Sequence, residues 1–414
     1  MRFKPDGNLD WSVLWGHAVH RSWPRVVCMT LGPDNSIYVA GSLTGSVDFD
    51  PGDGEDIHDA TRDGAYYLTS FTVDGEYRWT RSWRGGSEEA QEIGSVACDP
   101  DGNVFIVGQF WGSVDFDPCE GESRVSGDDR DAYILKLNSD GIFEWVRTWN
   151  DSSYEMPTKV AVSRSGEAFV TGYFQENAAS SRTNIDLVLQ IRRMFIYIRR
   201  FDADGTLLWN QVYGGGNDMQ PADLVLDSRD NIYTTGYFGS FADLAPDERV
   251  IVSGDYPYHS FISSFDATGY LRWVKVFGGY ELHGNVLSTS APSELYINSA
   301  GNPVVLGTFS GRLDVPLSSP SAMSFTSDDS DIYFVEYDPE GKEVSAWTLG
   351  GDDYQDVQWA MPDEEGNLYL SGTFGNSIDL SSTFGTVVKD PHMYSSGYSY
   401  NVYLAKLSAD ILPD

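Results

Sequence analysis

The chain has 414 residues and a formal net charge of −35, built from 43 Asp and 19 Glu against 20 Arg and 7 Lys. Such a surface repels nucleic-acid phosphates and anionic lipid, which argues against both as partners. No apolar run nears the roughly 18 residues of a membrane span, and the opening MRFKPDGNLD lacks the apolar stretch of a signal peptide.

The first residues, FKPDG followed by LDWSVLW, begin partway through a pattern that the rest of the chain repeats. An apolar strand ending in glycine comes next, NSIYVAG to Gly41, and returns at Gly108, Gly172, Gly236, Gly307 and Gly372, a mean spacing near 66 residues. Repeats of this kind are units that cannot bury their own faces and must stack. Seven residues after the glycine stands an acid: Asp48, Asp115, Asp243, Asp314 and Asp379. The spelling GSVDFDP is identical at Gly45–Pro51 and Gly112–Pro118, as expected of a corner that each unit needs; the third copy breaks the spacing, with Asp186 as its counterpart. Later in each unit a turn leads to a tryptophan, at Trp11, Trp79, Trp145, Trp209 and Trp273, with Trp347 displaced by two residues. A second aromatic four residues on (Trp15, Trp83, Trp149, Tyr213, Phe277) shares the same strand face, so both read as core.

Each repeat therefore predicts four short antiparallel strands, a propeller blade. The predicted fold is all-β, a single six-bladed β-propeller of four-stranded blades at approximately 22–85, 86–150, 151–215, 216–279, 280–350 and 351–410. The chain stops after KLSAD, short of a fourth strand, so residues 1–16 are expected to supply the closing strand of the last blade. Three cysteines make no disulfide framework, and Cys28, Cys98 and Cys119 read as structural.

The YVTG-like strand, the DAYILKL-like strand, the DG-to-Trp spacing and the Gly-Gly pairs resemble the SBBP β-propeller repeat of secreted and surface-associated bacterial proteins. That name implies seven blades where this chain counts six, and the family has no shared catalytic residues. The resemblance implies an extracellular, cell-surface or periplasmic protein, and the register of FKPDG, which repeats that of LSAD at Leu407–Asp410, predicts a piece of a longer precursor or a chain trimmed at its first residues.

Four kinds of residue are candidates for function. Six residues before each DG turn position stand Cys28, Ser95, Lys159, Asp223, Glu294 and Trp359, while the next position is apolar in every copy. A position ranging from Lys to Trp is not set by packing, which makes Lys159, Asp223, Glu294 and Trp359 the candidate axial ligand-binding set, against a water-filled channel with satisfied walls. Asp48, Asp50, Asp115 and Asp117 could offer oxygen ligands to calcium, the one candidate cofactor, although none follows the spaced ligands of an EF-hand. The alternative is corner-forming Asp bonded to backbone amides. Six histidines, at 17, 20, 58, 259, 283 and 392, show no metal spacing. The segment Arg182–Arg200 is basic in an acidic chain, and Arg182, Arg192, Arg193, Arg199 and Arg200 are candidate contacts for a partner or a second copy, against a longer hairpin of the third blade. These readings point to a non-enzymatic binding or scaffold module displaying loops and an axial channel to a protein or glycan. The alternative is a calcium-dependent hydrolase or lyase resembling the lactonases built on six-bladed propellers. Enzymatic activity is thus the less expected of the two.

Overall fold

The computed structural model describes residues 1–4, 8–15, 17–18, 24–60, 64–84, 92–150, 154–176, 193–216, 218–239, 241–245, 251–253, 258–279, 282–283, 286–316, 322–351, 354–363, 365–375, 387–389 and 401–407. Among them the chain is all strand and turn. Two compact units divide it: one holds Met1–Arg192 with Tyr197–Gln211, the other Arg193–Ile196 with Val212–Asp414.

Six antiparallel sheets follow one plan. Blade one joins Arg25–Leu31, Ile37–Leu43, Ala65–Phe71 and Tyr77–Trp83, and blade two joins Glu92–Cys98, Val104–Asp115, Arg124–Leu137 and Phe143–Trp149. Blade three is built on Glu155–Val162, Ala168–Glu176, Arg193–Phe201 and Leu207–Gly216, with Phe241–Asp243 and Ile251–Ser253 added beyond its fourth strand. Blade four joins Gln220–Leu226, Ile232–Phe238, His259–Phe265 and Leu271–Phe277. Blade five joins Thr289–Ile297, Pro303–Val315, Met323–Tyr337 and Glu343–Leu349. Blade six joins Gln355–Pro362, Leu368–Phe374, Asn401–Leu407 and Val387–Lys389. These are the six blades of the predicted β-propeller class.

The recurring spellings now have physical causes. The central strands carry near-continuous apolar runs because both faces are covered, as in the wholly buried Ala65–Phe71. At Gly41, Gly108 and Gly172 a side chain would collide with the carbonyl of Arg25, Glu92 or Met156 on the first strand and with the ring of Tyr67, Tyr133 or Tyr197 on the third. Glycine is therefore required by close approach, not by turn geometry. The tryptophans join neighbouring blades. Trp79 and Trp145 lie against the turn glycines Gly141 and Gly205 of the next blade, and Trp273 against Gly341. Trp145 Nε1 donates to Ala203 O at 3.0 Å and Trp273 Nε1 to Pro339 O at 2.9 Å. Arg147, stacked 5.3 Å over Trp145, donates to Gly205 O at 2.9 Å and Asp204 O at 2.8 Å.

The turns explain the excess of Asp over Glu. Asp99, Asp202, Asp227, Asp266, Asp338 and Asp363 each accept, through one oxygen, the amides two and four residues on. Asp has the short reach this geometry needs, whereas the extra methylene of Glu overshoots it.

The N-terminal residues form a two-stranded sheet. Leu9–Trp11 pairs with Arg2–Phe3, in the register by which Lys136 and Leu137 meet Trp145 and Phe143. Trp11 lies against Gly75 of blade one as the other tryptophans lie against their glycines, and Trp15 packs 5.1 Å from Phe71. In blade six Val387–Lys389 lies beside Asn401–Leu407, paired to Tyr403–Ala405.

Candidate functional site

The six variable positions are equivalent in three dimensions. Every first strand carries a register shift immediately before the position: between Val26 and Cys28, Ile93 and Ser95, Pro157 and Lys159, Pro221 and Asp223, Pro292 and Glu294, and Val357 and Trp359. A bulge re-aims the side chain that follows it. The next residue is buried in five copies (Val96, Val160, Leu224, Leu295 and Ala360). The exception is Met29, 53% exposed.

Within the first unit, Cys28 and Lys159 come close enough to interact electrostatically although 131 positions separate them. Burial pushes the Cys28 thiol up to about 12, against the opposing pull of the Lys159 ammonium. Burial likewise raises Cys98 to about 12, helped by Asp99. Both thiols are therefore protonated and inert near neutrality, and Cys119 is the exposed one.

Within the second unit the candidates separate by role. Asp223 is 5% exposed, and its two oxygens accept the Leu224 amide at 2.8 Å and the Leu295 amide at 2.8 Å. Leu295 lies in the first strand of the next blade, directly after Glu294, so Asp223 staples blade four to blade five. Glu294 is half-buried opposite Leu306. Trp359 is 36% exposed opposite Ser371.

The four candidate metal acids form the corners. Asp48 Oδ1 accepts the amides of Asp50 at 3.1 Å and Asp56 at 2.9 Å, and Asp115 Oδ1 accepts those of Asp117 at 3.2 Å and Ser123 at 2.8 Å. Asp50 and Asp117 each take the amide two residues on, from Gly52 and Cys119. Among the described residues no three His, Cys, Asp or Glu side chains gather as a metal site would require.

Two arginines of the basic segment make contacts inside the protein. Arg199 is 5% exposed and stacks on Trp149 at 4.9 Å and Tyr197 at 5.2 Å. Arg200 pairs with Glu167 at 2.8 Å and lies 5.3 Å over Phe169. Arg200 is thus engaged within blade three, whereas Arg199 reaches across to Trp149 of blade two. Arg193 opens that strand half-buried, and Arg182 and Arg192 lie outside the described residues. The sequence reading weighed His58 only for metal spacing; it stands in the strand paired with the first corner. The signal was available in the repeat itself, since the second copy has Val125 there.

No protein-family model matches the chain. The chain is similar to an uncharacterized WD repeat-containing protein, L264, of Acanthamoeba polyphaga mimivirus, at 19% identity over 230 residues. The match covers 48% of this chain and 16% of that protein. The six blades and this distant likeness support a β-propeller repeat protein.

Proposed function

We propose that the chain acts, by a role that needs no catalysis, as a binding or scaffold module that offers a rigid frame of blades to a protein or glycan partner at a cell surface or in the periplasm. One observation carries the reading. Six bulges hold six equivalent positions in one register, yet the residues placed there are Cys28, Ser95, Lys159, Asp223, Glu294 and Trp359. A frame that varies one position per blade suits recognition. The resemblance to secreted SBBP repeats is the support for export, and the likeness to a WD repeat-containing protein supports the binding role. The calcium-dependent hydrolase reading is weakened at Asp223, whose two oxygens already accept amides.

The test is a glycan array and an affinity capture with the full chain, repeated with Lys159→Ala, Glu294→Ala and Trp359→Ala. A partner that wild type retains and at least one variant loses, at unchanged melting temperature, is the expected result. Retention by all three variants would remove these positions from the recognition surface. A melting temperature that rises with millimolar calcium would favour the alternative.

A further inference from the structure

His58 lies opposite Val47 in the short strand Ile57–Asp59, beside the first corner. Its Nδ1 is 2.7 Å from Ser82 Oγ on the fourth strand of blade one. Its Nε2 is 3.3 Å from Asp56 Oδ1, within reach although off the hydrogen-bond direction. The other oxygen of Asp56 accepts the Tyr77 hydroxyl, and Thr80 Oγ1 lies 2.9 Å from that hydroxyl. The edge of Phe49 packs against the imidazole with centroids 5.6 Å apart. Ser82 is half-buried and so reachable from solvent. An imidazole carrying its proton on Nε2, toward Asp56, presents a free lone pair at Nδ1 to the Ser82 hydroxyl. That is a nucleophile, a base and an orienting acid in contact.

Blade two supplies an internal control. It repeats the same corner, yet Val125 faces Val114 where His58 faces Val47, and Thr148 faces Tyr133 where Ser82 faces Tyr67. Ser123 stands in the place of Asp56, each giving its amide to the corner Asp. In blade five Phe325 and Thr348 fill the two facing positions. The blade therefore folds without the polar set, and architecture alone does not explain its presence in blade one.

We propose that Ser82 is a nucleophile, deprotonated by His58 and oriented through Asp56, that reacts with small aryl esters of carboxylic acids. This goes beyond the binding role and does not depend on it. Ser82 Oγ attacks the carbonyl carbon while its proton passes to His58 Nδ1. The bond from the carbonyl carbon to the aryl oxygen breaks, and the phenolate leaves with the proton from His58. Water then cleaves the acyl–serine ester, releasing the carboxylic acid and restoring the hydroxyl. Aryl esters are the class named because a phenolate departs without strong help. Protonation states agree with these roles. Burial holds the His58 imidazole below its usual value, with Asp56 opposing and Arg81 and Arg84 assisting, so it is neutral near pH 7. Burial, with the bond to Asp56, holds Tyr77 well above its ordinary value, so it remains a donor.

The test treats the folded full chain with a fluorophosphonate probe and maps adducts by peptide mass spectrometry, alongside p-nitrophenyl acetate turnover. One adduct, on Ser82, is expected. Labelling should fall at least tenfold in His58→Val, the residue blade two uses, and several-fold in Asp56→Asn, whose side chain is partly exposed, with melting temperatures near wild type. Release of p-nitrophenol should fall in step with labelling. No adduct on Ser82, or labelling of Ser82 at the wild-type rate in a folded Asp56→Asn or His58→Val variant, would overturn the proposal.

Discussion

Blades one and two spell the same corner, and the structure builds it the same way twice. Phe49 packs on Tyr67 with centroids 4.7 Å apart, and Phe116 on Tyr133 at 4.9 Å. The two corner acids accept amides at matching positions. Around this shared frame the blades part company. Val96 in the first strand of blade two is 6% exposed, whereas its counterpart Met29 is mostly exposed. Blade two fills the strand beside its corner with Val125, whereas blade one places His58 there. Identity between copies marks what a blade needs in order to fold, and divergence marks where a blade is free to do something else.

The sharpest way to break this comparison is through the tryptophans. Trp145→Ala should cost about 3–5 kcal/mol in urea denaturation, because it empties the seat on Gly205 and removes the indole N–H, leaving only Lys136 Nζ to donate to the Ala203 carbonyl. Trp79→Ala should cost about 1 kcal/mol less, since Trp79 Nε1 has no acceptor to lose. Equal losses would mean that the indole hydrogen bond contributes nothing.

Next in size are the corners. Asp48→Ala and Asp115→Ala should each lose about 1–2 kcal/mol by abandoning two amides. Similar values in the two blades are expected; Glu in either place should fail to restore them because its carboxylate overshoots.

Acid dependence sharpens the same point in the turns. Partial burial raises the Asp227 carboxyl, but the Asn231 side chain and the amides of Arg229 and Asn231 outweigh it and hold the group below its ordinary value. Asp266 and Asp363 are lowered by similar sets of donors. A carboxyl lowered by folding stabilises the protein above its unfolded value of about 4, and that stability is lost as pH falls through the folded value. The melting temperature should therefore drop steeply below about pH 4, and Asp227→Asn should flatten part of that drop.

The smallest effect is chemical. With Cys28 and Cys98 both raised to about 12, iodoacetamide at pH 8 should modify Cys119 first in the folded chain, with no change in stability. Simultaneous modification of all three would show that the two half-buried thiols are exposed.

Much of this was legible in the sequence because the relevant physics is local and repeats. The period of the glycines, the offset of the aromatics and the position after each bulge depend on a few neighbouring residues, and six copies allow them to be aligned. Less legible was whatever depends on a neighbouring strand. The commitment of Asp223 to the Leu295 amide joins residues 72 apart. Arg199 is buried because a third strand has both faces covered, so alternation along the strand says nothing about which residues point outward. Val387–Lys389 takes its place in blade six with no repeat motif to announce it.

The Asp-rich turns also bear on how the molecule ages. Asp–Gly pairs are among the weak points of a polypeptide toward isoaspartate, because the glycine amide nitrogen can attack the preceding side-chain carboxyl and close a succinimide ring. Here four such pairs, Asp74–Gly75, Asp101–Gly102, Asp140–Gly141 and Asp204–Gly205, have that nitrogen already donating its hydrogen to the carbonyl three residues back, at 2.9–3.0 Å. Cyclisation would have to break this bond and swing the carboxyl out of the turn. The arrangement that shapes these turns thus shields the four bonds for as long as the chain stays folded, and isoaspartate at these sites should accumulate only after denaturation.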